Sequence, residues 1–148
     1  MRNPVRSLCY SVVLMFSLAM LALSVAGQSA FAEDLKVNLA GAEEVPAVTT
    51  SANGGGTITV GEDHTVSGRV TTTGVPGTAA HIHMGAPGQN GPVVIPLTKT
   101  DDNTWTVPSG AKLTDQQYEA YQAGNLYVNV HSAAHPSGEI RTQLKPQG

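Results

Sequence analysis

Thr57-Ile58-Thr59-Val60-Gly61-Glu62-Asp63-His64-Thr65-Val66-Ser67-Gly68-Arg69-Val70-Thr71 is the stretch that decides the fold. Two runs that alternate apolar and polar residues flank Gly61-Glu62-Asp63-His64, which has turn composition, so the whole reads as a β-hairpin with one buried face. Working outward, the same period recurs. Upstream, Leu35-Lys36-Val37-Asn38-Leu39 alternates, and Gly54-Gly55-Gly56 reads as punctuation before the hairpin. Downstream, Gly74-Val75-Pro76-Gly77 breaks the chain ahead of a strand at Ala79-Ala80-His81-Ile82-His83. The Gly- and Pro-rich run from Gly85 to Pro92 cannot hold a ladder and is a loop. Strands resume at Val93-Val94-Ile95-Pro96-Leu97, with Pro96 near an edge, and at Asn103-Thr104-Trp105-Thr106-Val107 after a turn beginning at Asp101. Leu126 to His131 and Glu139 to Leu144 are two more, joined as a second hairpin by the loop Ser132 to Gly138. Many short strands separated by turn residues predict an all-β sandwich or barrel.

One helix interrupts the pattern. Thr114 caps it, Asp115 lies in its first turn, Gln117 occupies the capping-box position, and Gly124 stops it. Leu113, Tyr118 and Tyr121 share its apolar face.

The amino terminus has a different character. Arg2 and Arg6 precede a run from Leu8 to Val25 that is almost wholly apolar, followed by Ala30-Phe31-Ala32. This is the pattern of a secretory signal with cleavage after Ala32, which predicts a periplasmic or secreted protein. The rival reading is a retained anchor, since roughly 18 apolar residues just span a bilayer; the small residues at 30 and 32, with Glu33 and Asp34 behind them, favour removal. Cys9 lies before the apolar core and would leave with it, so no disulfide is expected in the remaining domain, Glu33 to Gly148. That domain carries six basic against eleven acidic residues, a net charge of −5 with neutral histidines. A mildly acidic chain without basic clusters argues against nucleic acid or anionic lipid as a partner.

The chemistry-bearing residues are histidines. Four of the five fall into two groups, His81 with His83 and His131 with His135. Residues two apart on a strand share a face, so His81 and His83 project side by side. A third nitrogen from another strand would complete a site for copper or zinc, and His131, at a strand end, is the best placed. His135, in the adjoining loop, is a further candidate. Met84 would add a soft thioether favouring Cu(I) if it faced inward, although strand alternation turns it away unless the following loop reverses it. Imidazoles also satisfy buried carbonyls or stack at sheet edges, so spacing alone leaves a purely structural role open. Tyr127 and Asn129 share the face of His131 and could support ligands from behind. Glu139 and Arg141, two apart, read as a surface or metal-supporting pair, and His64 as a solvated turn residue. Glu43 and Glu44 form a carboxylate pair without supporting context. No cysteine nucleophile, nucleophile-elbow serine or phosphate-binding glycine loop is present in the domain.

Four segments resemble one family: Leu39 to Pro46, Ala79 to Val94, Gly124 to His131, and Pro136 to Leu144 are similar to the corresponding motifs of the CHRD (chordin) domain, in the same order. The likeness runs from about Leu35 to Leu144. It implies an extracytoplasmic antiparallel Greek-key β-sandwich or barrel, superoxide-dismutase-like or immunoglobulin-like, with one short helix. His81, His83 and His131 match the family's histidine motifs. His135 stands where the family often has Asn, and Met84 where it commonly has Gly, and both departures add potential ligands.

Taken together, these readings predict an exported, non-catalytic protein that binds a metal ion, copper before zinc, through His81, His83 and His131 with His135 or Met84 as a fourth ligand. The alternatives are a metal-free binding or matrix module acting on a protein partner, and an enzyme of superoxide dismutase type. The last lacks an evident second set of ligands.

Overall fold

The structure is a computed structural model, and it describes residues 31–147. The expected export signal, residues 1–32, lies outside the described residues except for its last two, and Ala32 opens the first strand. Nine strands follow in chain order: β1 (Ala32–Ala40), β2 (Asn53–Gly61), β3 (Val66–Thr73), β4 (Gly77–Met84), β5 (Val93–Pro96), β6 (Thr98–Asp101), β7 (Thr104–Thr106), β8 (Leu126–Ser132) and β9 (Ile140–Leu144). One helix, α1 (Asp115–Gln122), lies between β7 and β8.

Every pairing is antiparallel, in the order β5-β4-β8-β9-β1-β2-β3-β7-β6. The two outer members of that order are one extended run that changes partner. Val93–Pro96 pairs with β4, and Thr98–Asp101 then pairs with β7. Between them the Leu97 N–H donates to the Ala80 carbonyl at 2.9 Å, and Lys99 Nζ donates to the Gly77 carbonyl at 3.2 Å. The sheet ends therefore meet, and the barrel is nearly closed. Strand β4, the β5–β6 run and β7 succeed one another as neighbours, and β8 returns after α1 to lie beside β4, which is Greek-key connectivity.

The alternation read from the sequence decides which faces are buried. Leu35, Val37 and Leu39 of β1, Ile58 and Val60 of β2, and Val66 and Val70 of β3 point into the barrel. Ala80, Ile82, Val128, Val130, Ile140 and Leu144 meet them from the opposite wall, with Trp105 between. Each large side chain so buried is worth about 1.5–3 kcal/mol. The helix forms as its caps dictate: Thr114 Oγ1 accepts from the Gln117 N–H, Gln117 Oε1 accepts from the Thr114 N–H, and Gly124 ends it at φ +72°.

Two elements differ from the sequence reading. Gly54-Gly55-Gly56 does not punctuate; it is the first half of β2, paired with β1 on one side and β3 on the other. A side chain at Gly56 would collide with the Arg69 carbonyl, so the glycines let three strands approach closely. Strand β6 was not expected, because all four of its residues are exposed and show no alternation.

Candidate metal centre

Strand β8 is buried on both faces. Leu126, Val128 and Val130 point into the barrel, while Tyr127 and Asn129 face outward and are still covered. The cover is the loop that leaves β4, whose glycine-rich course folds back over β8 and β9. Arg141 of β9, 1% exposed, fastens it by donating to Asn90 Oδ1 (3.2 Å) and the Gln89 carbonyl (3.0 Å). Gln143 Nε2 adds a bond to the Gly85 carbonyl at 2.8 Å. Beneath this loop the outer faces of β4, β8 and β9 carry a layer of polar side chains.

Strand register places the histidines within it. Ala79 lies opposite His131, His81 opposite Asn129, and His83 opposite Tyr127. His81, His83 and His131 converge so that one ring nitrogen of each lies within 4.8 Å of the other two. The rings meet edge to face, 4.8 Å apart for His81 and His131 and 5.4 Å for His81 and His83. His83 also stacks flat on Tyr127 at 4.8 Å, and the Arg141 guanidinium covers that same Tyr127 ring at 3.5 Å.

Hydrogen bonds fix which nitrogens are free. His83 Nδ1 lies 2.9 Å from the Gly91 carbonyl, and His131 Nδ1 lies 2.9 Å from the Pro136 carbonyl. A carbonyl only accepts, so each Nδ1 carries the proton and each Nε2 presents a lone pair. Tethering of a ligating imidazole through its other nitrogen is the usual support for a metal site. His83 Nε2 is buried and has no partner among the described residues. The His131 lone pair meets His81 Nδ1 at 3.0 Å, where His81 supplies the proton. Tetrahedral ligands at M–N distances of 2.0–2.1 Å lie roughly 3.3 Å apart, so a cation replacing that proton needs a shift of a few tenths of an ångström at this pair, with the third nitrogen closing in from within 4.8 Å.

Burial holds the pKa of both His81 and His83 below the ordinary imidazole value. The neighbouring rings reinforce this for His81, while the Gly91 carbonyl opposes it for His83. Both rings are thus held neutral, which is the form that binds metal. The residues present therefore fit a three-imidazole metal site.

The CHRD domain model matches residues 35–144. The chain belongs to the CHRD domain family. The match in this CHRD domain runs from β1 to the end of β9 and includes all three converging histidines. No curated protein sequence and no solved structure gives a match.

Two of the five residues named from the sequence stand apart in this CHRD domain. Met84 continues the inward parity of Ala80 and Ile82 and packs against the hydrophobic core, so its thioether lies across the sheet from the histidines. His135 is outside the converging group; its backbone does the work in its loop, with its N–H donating to Ser132 Oγ and its carbonyl accepting from the Ser132 and Gly138 N–H groups. Glu139 and Arg141 do not pair with each other. Glu139 precedes β9 and accepts from Ser132 Oγ (2.5 Å) and Thr50 Oγ1 (2.9 Å), while Arg141 serves the loop. His64, in its turn at φ +67°, stacks on Tyr118 at 4.2 Å and lies 3.5 Å from Asp115. The residue that composition and spacing left without context is Glu44, only 6% exposed, whose side chain reaches Asn129 beside the histidines. Burial raises its carboxyl to about 7, against the opposing pull of the Arg141 charge and the Asn129 amide.

Proposed function

We propose that this CHRD-domain protein is exported and binds a late first-row divalent ion, copper(II) foremost, without turning over a substrate. The observation that carries the reading is the convergence of three imidazoles, two of them tethered through Nδ1 so that Nε2 is fixed outward. Neutral nitrogen donors suit copper and zinc. Copper(II) stands highest in the Irving–Williams order, so it outcompetes zinc at equal availability. With Met84 in the core the site offers no thioether, which removes the argument for Cu(I). Export rests on the Arg2 and Arg6 start, the apolar run and Ala30-Phe31-Ala32.

Competition titration of the purified protein with Cu(II) and Zn(II) tests the reading. We expect one equivalent of each to bind, copper more tightly. Replacing both His81 and His83 by Ala removes two ligands and is expected to weaken copper binding well beyond the 10–100-fold typical of losing a supporting group. Unchanged affinity in that double variant would defeat the proposal. Export is read separately, by whether the amino terminus of protein recovered from outside the cytoplasm begins at Glu33.

A further inference from the structure

Three buried acceptor atoms in one neighbourhood have no hydrogen-bond partner among the described residues: His83 Nε2, Asn129 Oδ1 and Glu44 Oε1. Their residues are 8%, 1% and 6% exposed, so solvent does not answer for them. Buried polar atoms are nearly always partnered, and each exception calls for a reason. Here the reason lies in their common character, since the ring nitrogen and the amide oxygen only accept, and so does the carboxyl oxygen when its group is ionised. His83 has committed its only proton to the Gly91 carbonyl, Asn129 Oδ1 is an amide oxygen, and the third belongs to a carboxyl group.

The orientation of Asn129 follows from its neighbours. A side chain placed on Gly138 would lie 2.6 Å from Asn129 Nδ2 and would collide with Glu44 Oε1, so the amide nitrogen and the carboxyl flank one point. With the carboxyl ionised, the opposite orientation would press amide oxygen against carboxyl oxygen, acceptor on acceptor. Glu44 therefore selects the orientation in which Oδ1 turns away from it. In the sheet, Asn129 is directly opposite His81 and two residues before His131 on the same face. Its side chain also lies within hydrogen-bonding reach of the His83 ring. Two free acceptors, His83 Nε2 and Asn129 Oδ1, beside a single proton shared by His81 and His131, make a patch complementary to a cation that displaces that proton.

We propose that Asn129 Oδ1 is the fourth protein ligand of the ion held by His81, His83 and His131, and that Glu44 is the positioning residue that aims it. This inference rests on the three-histidine reading above. An amide oxygen is a hard neutral donor, so a three-nitrogen, one-oxygen set selects a divalent ion and disfavours Cu(I).

The full chain, with Co(II) as spectroscopic probe and Zn(II) for affinity, provides the test. Asn129→Leu keeps the volume and removes the oxygen. It is expected to weaken Zn(II) binding at least tenfold and to change the Co(II) d–d spectrum in a variant that still unfolds cooperatively. Asn129→Asp retains an oxygen ligand and is expected to bind Zn(II) at least as tightly as the parent. Glu44→Gln is expected to lower Zn(II) affinity about tenfold with the Co(II) band pattern kept, as for loss of a supporting group. Parent-like affinity and spectrum in Asn129→Leu would overturn the assignment. Should that variant fail to fold, a folded Asn129→Asp with lost Zn(II) binding would overturn it equally. If the parent itself binds neither Co(II) nor Zn(II), the three-histidine reading falls and this one falls with it.

Discussion

Gly138 shows how much of the site depends on one absent side chain. Its φ is +133°, a conformation that L-residues rarely adopt, and a Cβ there would drive into Glu44 and Asn129. Gly138→Ala therefore combines backbone strain with displacement of two buried polar groups. It is expected to destabilise the protein by roughly 2–4 kcal/mol in urea denaturation and to weaken metal binding as well, because Asn129 sits beside the histidines. At this scale the sequence was partly legible. Strand alternation alone places His81 and His83 together and turns Met84 away, as the structure has them. Arg141 was not legible, because its strand neighbours Ile140 and Thr142 say nothing about loop carbonyls arriving from about 50 residues earlier to satisfy a buried guanidinium. Glu44 escaped for a similar reason: its partner Asn129 lies 85 positions away in the chain.

At the scale of elements, the loop between β4 and β5 both covers the outer face of β8 and β9 and tethers His83. The Gly91 carbonyl tethers His83, the Gly91 N–H donates to the Tyr127 hydroxyl at 3.3 Å, and Asn90 Nδ2 reaches the Val45 carbonyl at 2.7 Å. Arg141 holds all of this down from β9, using charge-assisted bonds worth about 1.5–3 kcal/mol each. Arg141→Met keeps an unbranched stem against Tyr127 but removes the donors. We expect a loss of about 2–4 kcal/mol in stability and faster hydrogen exchange at the Gly85 and Gly91 amides, with the α1 amides unaffected; protection retained in the loop would show that its own turns suffice. The helix was readable because a capping box is local chemistry contained in four residues, Thr114 to Gln117. Thr114→Ala is accordingly expected to cost ~1 kcal/mol, read as a lower melting temperature with metal affinity unchanged. Strand β2 was harder to read. Alternation is written by side chains, and Gly54-Gly55-Gly56 has none to display although it is paired on both sides.

Across the whole molecule, the buried layer on the outer face of β4, β8 and β9 links stability to pH through two opposing groups. The pKa values of His81 and His83 are lowered in the folded metal-free protein from 6.5. Between the lowered value and 6.5 the unfolded chain binds more protons than the folded one, so this contribution is present above 6.5 and is lost as pH falls. Glu44 acts the other way. Its folded carboxyl is raised from 4.5 to about 7, so between those limits the folded protein binds more protons, and the contribution is complete below 4.5 and lost as pH rises through 7. Each pH unit separating folded and unfolded pKa carries about 1.4 kcal/mol, and just below 6.5 the two slopes oppose each other. Glu44→Gln leaves a neutral side chain of nearly the same shape and deletes one of them. In chelator-treated protein we therefore expect melting temperature to rise more steeply with pH for Glu44→Gln than for the parent as pH approaches 6.5. A variant profile parallel to the parent's would mean that Glu44 is ionised in the folded state, and that its burial is balanced by the Arg141 charge alone.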